Sequence, residues 1–363
     1  MTFADTRFED RRRRLGNEIA AQRLDYLLLT HLENIRYFSG FSGSNAALLI
    51  GKDRSAQICT DGRYTTQIAQ EVPDIEAIID RPSAAALLKR VEDTARVGVE
   101  ASHLSLAEFD NLKSVAGENV TLVPVEKLIE PIREVKDEQE LAELERVAAI
   151  AVDAFEALVA DNGIRAGRTE REVAADLEYR MRLNGSERVS FDTIVASGPN
   201  SAKPHHSASD REIVEGDLVT IDFGAHSAGY NSDMTRTVIV GKVGETERKI
   251  YETVLRAQLA GVEAARAGMS LAEVDATCRD IIAEAGFGEY FTHSTGHGIG
   301  LDVHEAPFAA RGAEGTLREG MTLTIEPGIY IPDVGGVRIE DTLVITSGDP
   351  RVITPVSKDL LIV

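Results

Sequence analysis

Four acidic residues in the second half of the chain are spaced as two matching pairs. Asp222 ends a β-branched run in EGDLVTIDFG (215–224), and Asp233 follows eleven residues later in SDMTRTVIV. Glu326 ends a matching run in EGMTLTIEPG (319–328), and Glu340 follows fourteen residues later in IEDTLVI. Alternate side chains of a strand share a face, so Thr220, Asp222 and Gly224 point away from Val219, Ile221 and Phe223. The apolar set belongs to a core, and the acids face the opposite, concave side. Two like charges about 4 Å apart repel by about 4 kcal/mol at an effective dielectric of about 20. Four such acids on one surface therefore call for counter-cations, and divalent metals are the natural ones.

Histidines gather in the same region. Of eight in the chain, His205, His206, His293, His297 and His304 lie in two short segments. His297 sits in GHGIG, where the flanking glycines permit close backbone approach. One imidazole with four carboxylates is a hard, oxygen-rich donor set, unlike a cysteine-rich structural zinc site. It suits Mn(II), Co(II) or a catalytic zinc pair. Two acids can bridge two ions about 3.5–4 Å apart, the spacing usual in binuclear hydrolases, where water is activated without serine or cysteine. Other chemistries lack their signatures. HEAPF (304–308) is not HExxH, no G-x-S-x-G elbow or Walker motif occurs, and GHGIG is not G-x-G-x-x-G.

The elements that position these residues are duplicated. RAGRTEREVA (165–174) matches RAGMSLAEVD (266–275) at an offset of 101, and the two acid-bearing runs match at an offset of 104. In the first pair a Thr or Ser at a helix N-cap precedes Glu-Val entering a helix. Two matches in the same order and at nearly equal offsets predict two halves, each helices plus an antiparallel hairpin, about a pseudo-twofold axis.

Ahead of them, short apolar runs at 25–30, 46–50, 55–59, 74–79, 97–100 and 120–125 alternate with helical stretches near 63–71, 82–94 and 105–116. That pattern predicts a smaller α/β domain over residues 1–130. Residues 131–140 read as a linker, and 141–363 as the duplicated domain. A long amphipathic helix is expected from about 137 to 161, closed by Asn162-Gly163.

With 39 Lys+Arg against 60 Asp+Glu the formal charge is −21, which excludes the basic footprint of a nucleic-acid binder and disfavours an anionic membrane surface. No apolar run of membrane-spanning length occurs. Arg11 to Arg14 are followed by Gly16, Asn17 and Glu18 rather than an apolar stretch, so they do not open an export signal. With Phe8, Leu15 and Ile19 at helical spacing, the arginines are expected on the solvated face of a first helix. Cys59 and Cys278 read as buried, reduced thiols of a cytoplasmic protein.

IDFG with an acid eleven residues on, then GHGIGLDVHE, TIEPG and VRIED, stand in the order of the pita-bread metallopeptidases, the family of methionine aminopeptidase, aminopeptidase P and prolidase. The resemblance covers the whole chain. It implies an α+β pita-bread catalytic domain behind the α/β domain, and two divalent ions, Mn(II) foremost, with Co(II) or Zn(II) as alternatives. Asp222, Asp233, His297, Glu326 and Glu340 are then the metal ligands, with Asp233 and Glu340 bridging. It also implies that His205 assists proton transfer to the leaving nitrogen, that His304 contacts the substrate carbonyl, and that His293 helps form a proline pocket. Glu326 is the carboxylate expected to move the water's proton. Arg338, two residues before Glu340, is expected either to hold a ligand or to clamp a substrate carboxylate. His206 matches no family position, and a surface role is expected for it.

FSGFSGSNAALL and TDGRY in the leading domain, together with RIED, resemble the branch that cleaves Xaa-Pro bonds in short peptides and forms homodimers. Phe308 departs from the pattern: some prolidases carry an arginine at the matching place to hold a dipeptide carboxylate. Two other readings stay open, a non-hydrolytic creatinase-like or binding member of the fold, and a methionine aminopeptidase.

Overall fold

The structure, a computed structural model, describes residues 6–363. It divides into two compact units, the first ending at Arg133 and the second running Glu134–Val363.

The first unit is built on a six-stranded sheet. Its centre is the strand Tyr26–Leu29, antiparallel to Ala46–Gly51 on one side and parallel to Ala95–Glu100 on the other. Leu28, Ala47, Leu49, Val97 and Val99 point to one core with Leu87, Leu88 and Leu112. The helix anticipated at 82–94 is shorter, Ser83–Leu88, because only its first six residues offer a buried face. The first helix, Arg7–Ala21, departs from expectation. Arg13 and Arg14 are exposed, but Arg11 and Arg12 are buried. Arg11 Nη1 donates to the Tyr37 carbonyl at 3.0 Å, and Arg12 donates to the Phe38 carbonyl at 2.8 Å and to Asp74. Guanidinium groups here satisfy the open carbonyls at the end of a neighbouring helix, which apolar periodicity cannot reveal.

The segment following Arg133 is anchored rather than loose. Val135 forms a bridge with Met321, and the Lys136 amide donates to the Gly320 carbonyl. The helix Glu138–Ala160 follows, its start fixed by an Asp137/Glu140 capping box.

The second unit shows the duplication. Helices Glu138–Ala160 and Glu170–Leu183 lead to a hairpin of Leu218–Phe223 with Met234–Ile239. Helices Glu245–Ala264 and Leu271–Glu284 lead to a hairpin of Thr322–Ile325 with Asp341–Val344. Thr169 and Ser270 each cap their helix with a full capping box, closed by Glu172 and Glu273. The helices cover one face of the strands. Phe223 stacks on Phe155 at 5.4 Å between ring centres, while Ile250, Val254, Val274 and Ile282 pack with Leu323, Ile325 and Leu343. The opposite strand face is left to the acids. Both cysteines are buried free thiols, and no helix among the described residues is long and apolar enough to cross a membrane.

Candidate metal centre and substrate pocket

The hairpins bring their acidic residues to one place. Asp222 lies in its strand opposite Thr235, and Asp233 immediately precedes Met234. Glu326 follows Ile325, whose partner is Asp341, and Glu340 precedes Asp341. The two hairpins are tied together: the Glu340 amide donates to the Thr235 carbonyl at 3.1 Å, and Thr342 Oγ1 donates to the Asp233 carbonyl at 2.7 Å. The four acids face a cavity of about 420 Å³, walled also by His205, His206, His293, His297, His304, Arg338 and Phe308.

Donor atoms cluster tightly. Asp222, Asp233 and Glu340 each place a carboxylate oxygen within 4.8 Å of the others, and donor atoms of His297, Glu326 and Glu340, and of Asp233, His297 and His304, gather as closely. His297 Nε2 lies 3.4 Å from Glu326 and 3.6 Å from Asp233. Its Nδ1 faces the Gly298 carbonyl at 2.9 Å; with the proton there, Nε2 keeps its lone pair aimed at the acids. Gly296 makes this placement possible, since a Cβ there would sit 1.7 Å from the Thr324 carbonyl oxygen. Asp233, His297 and Glu340 are buried.

The electrostatics follow from burial and crowding. Burial first, then the neighbouring Glu340 and Asp222, push the Asp233 carboxyl far up. Glu340 is raised for the same reasons, with Glu326 and Asp222 as its neighbours. Glu326 is lifted to about 8, by burial and by Asp222, against the pull of Arg338. Burial lowers His297 to about 4, and likewise His293, which also faces Arg338. Burial and crowding thus disfavour the charged forms of Asp233, Glu326 and Glu340 and of both imidazoles, a cost that cations among the acids would relieve. Two buried oxygens, Asp222 Oδ1 and Glu340 Oε1, have no hydrogen-bond partner among the described residues. Buried carboxylate oxygens are costly to leave unpaired, and this hard oxygen set with one imidazole fits divalent ions.

Around the acids, Arg338 is buried and donates from Nη2 to Asp222 at 2.6 Å, from Nη1 to Tyr330 Oη at 2.7 Å and the Pro204 carbonyl at 3.3 Å, and from Nε to Thr235 at 3.1 Å. Four of its five N–H groups are therefore taken within the protein. Of its two expected roles, holding a neighbouring acid matches this geometry, and clamping a substrate carboxylate does not. His293 Nε2 lies 2.8 Å from Tyr330 Oη. His304 and His205 are exposed at the cavity wall, His304 with its ring centre 4.4 Å from that of His297.

The surface role expected for His206 is overturned. Its Nε2 lies 2.7 Å from Glu170 Oε2, and its side chain is 11% exposed. Sequence reasoning also passed over Thr235, Thr324 and Tyr330. Thr235 donates to Glu340 at 2.7 Å, and Thr324 Oγ1 accepts the His297 amide at 3.0 Å. The two threonines alternate with the core-facing residues of their strands, a pattern visible in SDMTRT and TLTIE; nothing local marks Tyr330.

Comparisons with known proteins identify the family. Residues 142–347 match the model of metallopeptidase family M24, and residues 11–135 match the creatinase/prolidase N-terminal domain. An Xaa-Pro dipeptidase of Pyrococcus horikoshii is 42% identical over 342 residues, covering 93% of this chain and 95% of its own length. Among solved structures, an Xaa-Pro dipeptidase from Bacillus anthracis is 40% identical with a TM-score of 0.93, covering 98% of this chain and all of its own. An X-Pro aminopeptidase from Thermotoga maritima is 36% identical with a TM-score of 0.87, covering 97% of this chain and 99% of its own. With more than half of its residues matching the family model and relatives about 40% identical over nearly its whole length, the chain belongs to metallopeptidase family M24.

Proposed function

We propose that the protein is an Xaa-Pro peptidase, hydrolysing the bond between an amino-terminal residue and a following proline in short peptides. Two divalent ions would be held by Asp222, Asp233, His297, Glu326 and Glu340. The unpartnered second oxygens of Asp222 and Glu340 carry this assignment, because a buried carboxylate oxygen left without a donor is costly unless a cation meets it. Glu340 and Asp233 each belong to two of the three donor triplets, which supports these two acids as the ones that would help hold both ions. The metals' contribution, when bound, is Lewis acidity toward a carbonyl and a lowered pKa for water. Manganese is favoured over zinc by four carboxylates against one imidazole.

The remaining work falls to the chain's own groups. Glu326 accepts the proton of the attacking water at a carboxylate oxygen, steadied by Thr324 Oγ1 at 3.2 Å. His304, at the cavity wall beside His297, donates to the scissile carbonyl oxygen. His205 delivers a proton to the leaving imino nitrogen, which cannot depart as an anion. His293, held by Tyr330, forms a wall for the proline ring. Arg338 holds Asp222 in place. All of these lie within residues 141–363, the part assigned as catalytic, with 131–140 joining it to the leading domain. The protein is further proposed to be a cytoplasmic homodimer. Its two buried, unpaired thiols support a reducing compartment.

Relatives named as dipeptidase and as aminopeptidase both support Xaa-Pro cleavage. The test is incubation of the Mn(II)-loaded protein with Ala-Pro and with Ala-Pro-Ala. Cleavage of the first alone identifies a dipeptidase, and efficient cleavage of the second an aminopeptidase. If neither is cleaved, the proposal is wrong.

A further inference from the structure

One fully buried carboxylate outside the metal cluster accepts six hydrogen bonds. Glu170 sits in the first turn of the helix Glu170–Leu183 with no exposed surface. Its Oε1 accepts from the Ser197 amide at 2.8 Å, Ser197 Oγ at 2.8 Å and Asn200 Nδ2 at 3.0 Å. Its Oε2 accepts from His206 Nε2 at 2.7 Å, the Ser209 amide at 3.1 Å and Ser209 Oγ at 2.6 Å. Four points of the segment 197–209 are thereby gathered onto one side chain: its first residue, its last, and two between.

That segment carries His205 and the Pro204 carbonyl that accepts from Arg338. His205 has no hydrogen bond of its own among those described and stands exposed at the cavity wall. Its position is therefore set through its neighbours, by His206 on Glu170 and Pro204 on Arg338. The other half of the duplicated domain uses the same device. Asp275, on the helix Leu271–Glu284, accepts the amide of Thr295 at 3.1 Å and its hydroxyl at 3.0 Å, with Arg279 bracing the carboxylate. Thr295 lies between His293 and His297, and its carbonyl accepts the Glu326 amide. Each half thus anchors its histidine-bearing loop by a helix carboxylate that takes both donors of a Ser or Thr at the loop's edge. A surface capping role would need neither full burial nor six donors, four of them from side chains.

We propose that Glu170 is a positioning residue for the peptidase reaction: it staples the 197–209 loop and, through His206, places His205 against the leaving nitrogen. This rests on the Xaa-Pro peptidase assignment above. Glu170 does not touch substrate or metal, and it acts only through the loop.

The test compares Glu170→Gln, His206→Ala, His205→Ala and the two double variants with His205→Ala, all Mn(II)-loaded, on whichever of Ala-Pro or Ala-Pro-Ala the wild type cleaves. A glutamine keeps one acceptor oxygen and sets its amide against three donors. Glu170→Gln is expected to lower kcat about 100-fold, the scale of an ångström-size misplacement, with KM and bound manganese within twofold of wild type. His206→Ala removes one bond of six and is expected to lower kcat about tenfold, by the same misplacement argument. In the His205→Ala background each should cost less than about twofold, because the group being positioned is gone. Amide hydrogen exchange of the metal-free Glu170→Gln protein should quicken in 198–209 and not in 322–344. Equal losses with and without His205, or unchanged exchange in 198–209, would overturn the proposal while leaving the peptidase assignment intact. A wild type inactive on both peptides would overturn the assignment and this role with it. Should Glu170→Gln fail to fold, His206→Ala decides, since five of the bonds to Glu170 remain in it.

Discussion

Arg338→Met should destabilise the metal-free protein far more than the metal-loaded one. Among the described residues Arg338 is the one arginine or lysine on the wall of a cavity lined by five carboxylates, Asp192 and the four of the cluster, and its Nη2 lies 2.6 Å from Asp222. Burial alone would lower its pKa, but Tyr330, Asp222 and Glu326 outweigh that and hold it well above the ordinary value. Removing one member of a buried ion pair leaves the other uncompensated and costs about 3–5 kcal/mol. Losing the donors to Tyr330 and Thr235 adds to this. A net loss of about 3–4 kcal/mol in a catalytic unit of this size corresponds to a fall in Tm of about 6–8 °C. With divalent ions bound, the acids have other counter-charges, so the fall should shrink to about half or less. The assay is thermal denaturation of wild type and variant, each in EDTA and in excess Mn(II). An equal fall in both conditions, or one under about 2 °C in EDTA, would refute the view that Arg338 substitutes in part for the missing cations.

Asp233→Ala should abolish both manganese retention, read by elemental analysis, and peptide hydrolysis; a fully active variant would remove Asp233 from the ligand set. Gly296→Ala should lose stoichiometric metal binding without global unfolding, because relieving a Cβ that would lie 1.7 Å from the Thr324 carbonyl displaces the adjacent His297; a variant with unaltered metal affinity would contradict the packing. Glu170 supplies a pH dependence. Burial raises its pKa, but hydrogen bonds from Ser209, Asn200, His206 and Ser197 prevail and bring it from 4.5 to about 2. A depressed folded-state pKa contributes stability above the unfolded value, lost as the pH falls through the folded one. The wild type should therefore lose about 3 kcal/mol from this group between about pH 5 and pH 2, and Glu170→Gln should lack that component in denaturant titrations at each pH. Matching pH profiles for the two proteins would refute it.

The candidate ligands were legible because they sit in repeated local patterns. A strand alternates its faces whatever it packs against, so Asp222 and Glu326 were bound to oppose Ile221 and Ile325. The duplication then paired each with a second acid at the neighbouring strand's start. Helix starts were equally readable, since Thr169 and Ser270 each cap within their own helix. Arg11 and Arg12 are buried and the His206 side chain is only 11% exposed, where the sequence places all three at the surface. Charge and spacing point the two arginines to solvent and the histidine matches no family position, but each meets a partner far away in the chain: Tyr37, Phe38 and Glu170. No local pattern encodes such a pairing.

Amino-acid order by itself determined which side chains leave the strands on the polar face, where the helices begin, and that two similar halves exist. Only the tertiary structure decided that Arg338 is spent on Asp222 and Tyr330 rather than left for substrate, and that one buried glutamate anchors the loop of His205. The difference is one of range. Strand alternation and helix caps are settled within a few residues, whereas a buried ion pair or a six-fold acceptor exists only once separate segments have excluded water between them.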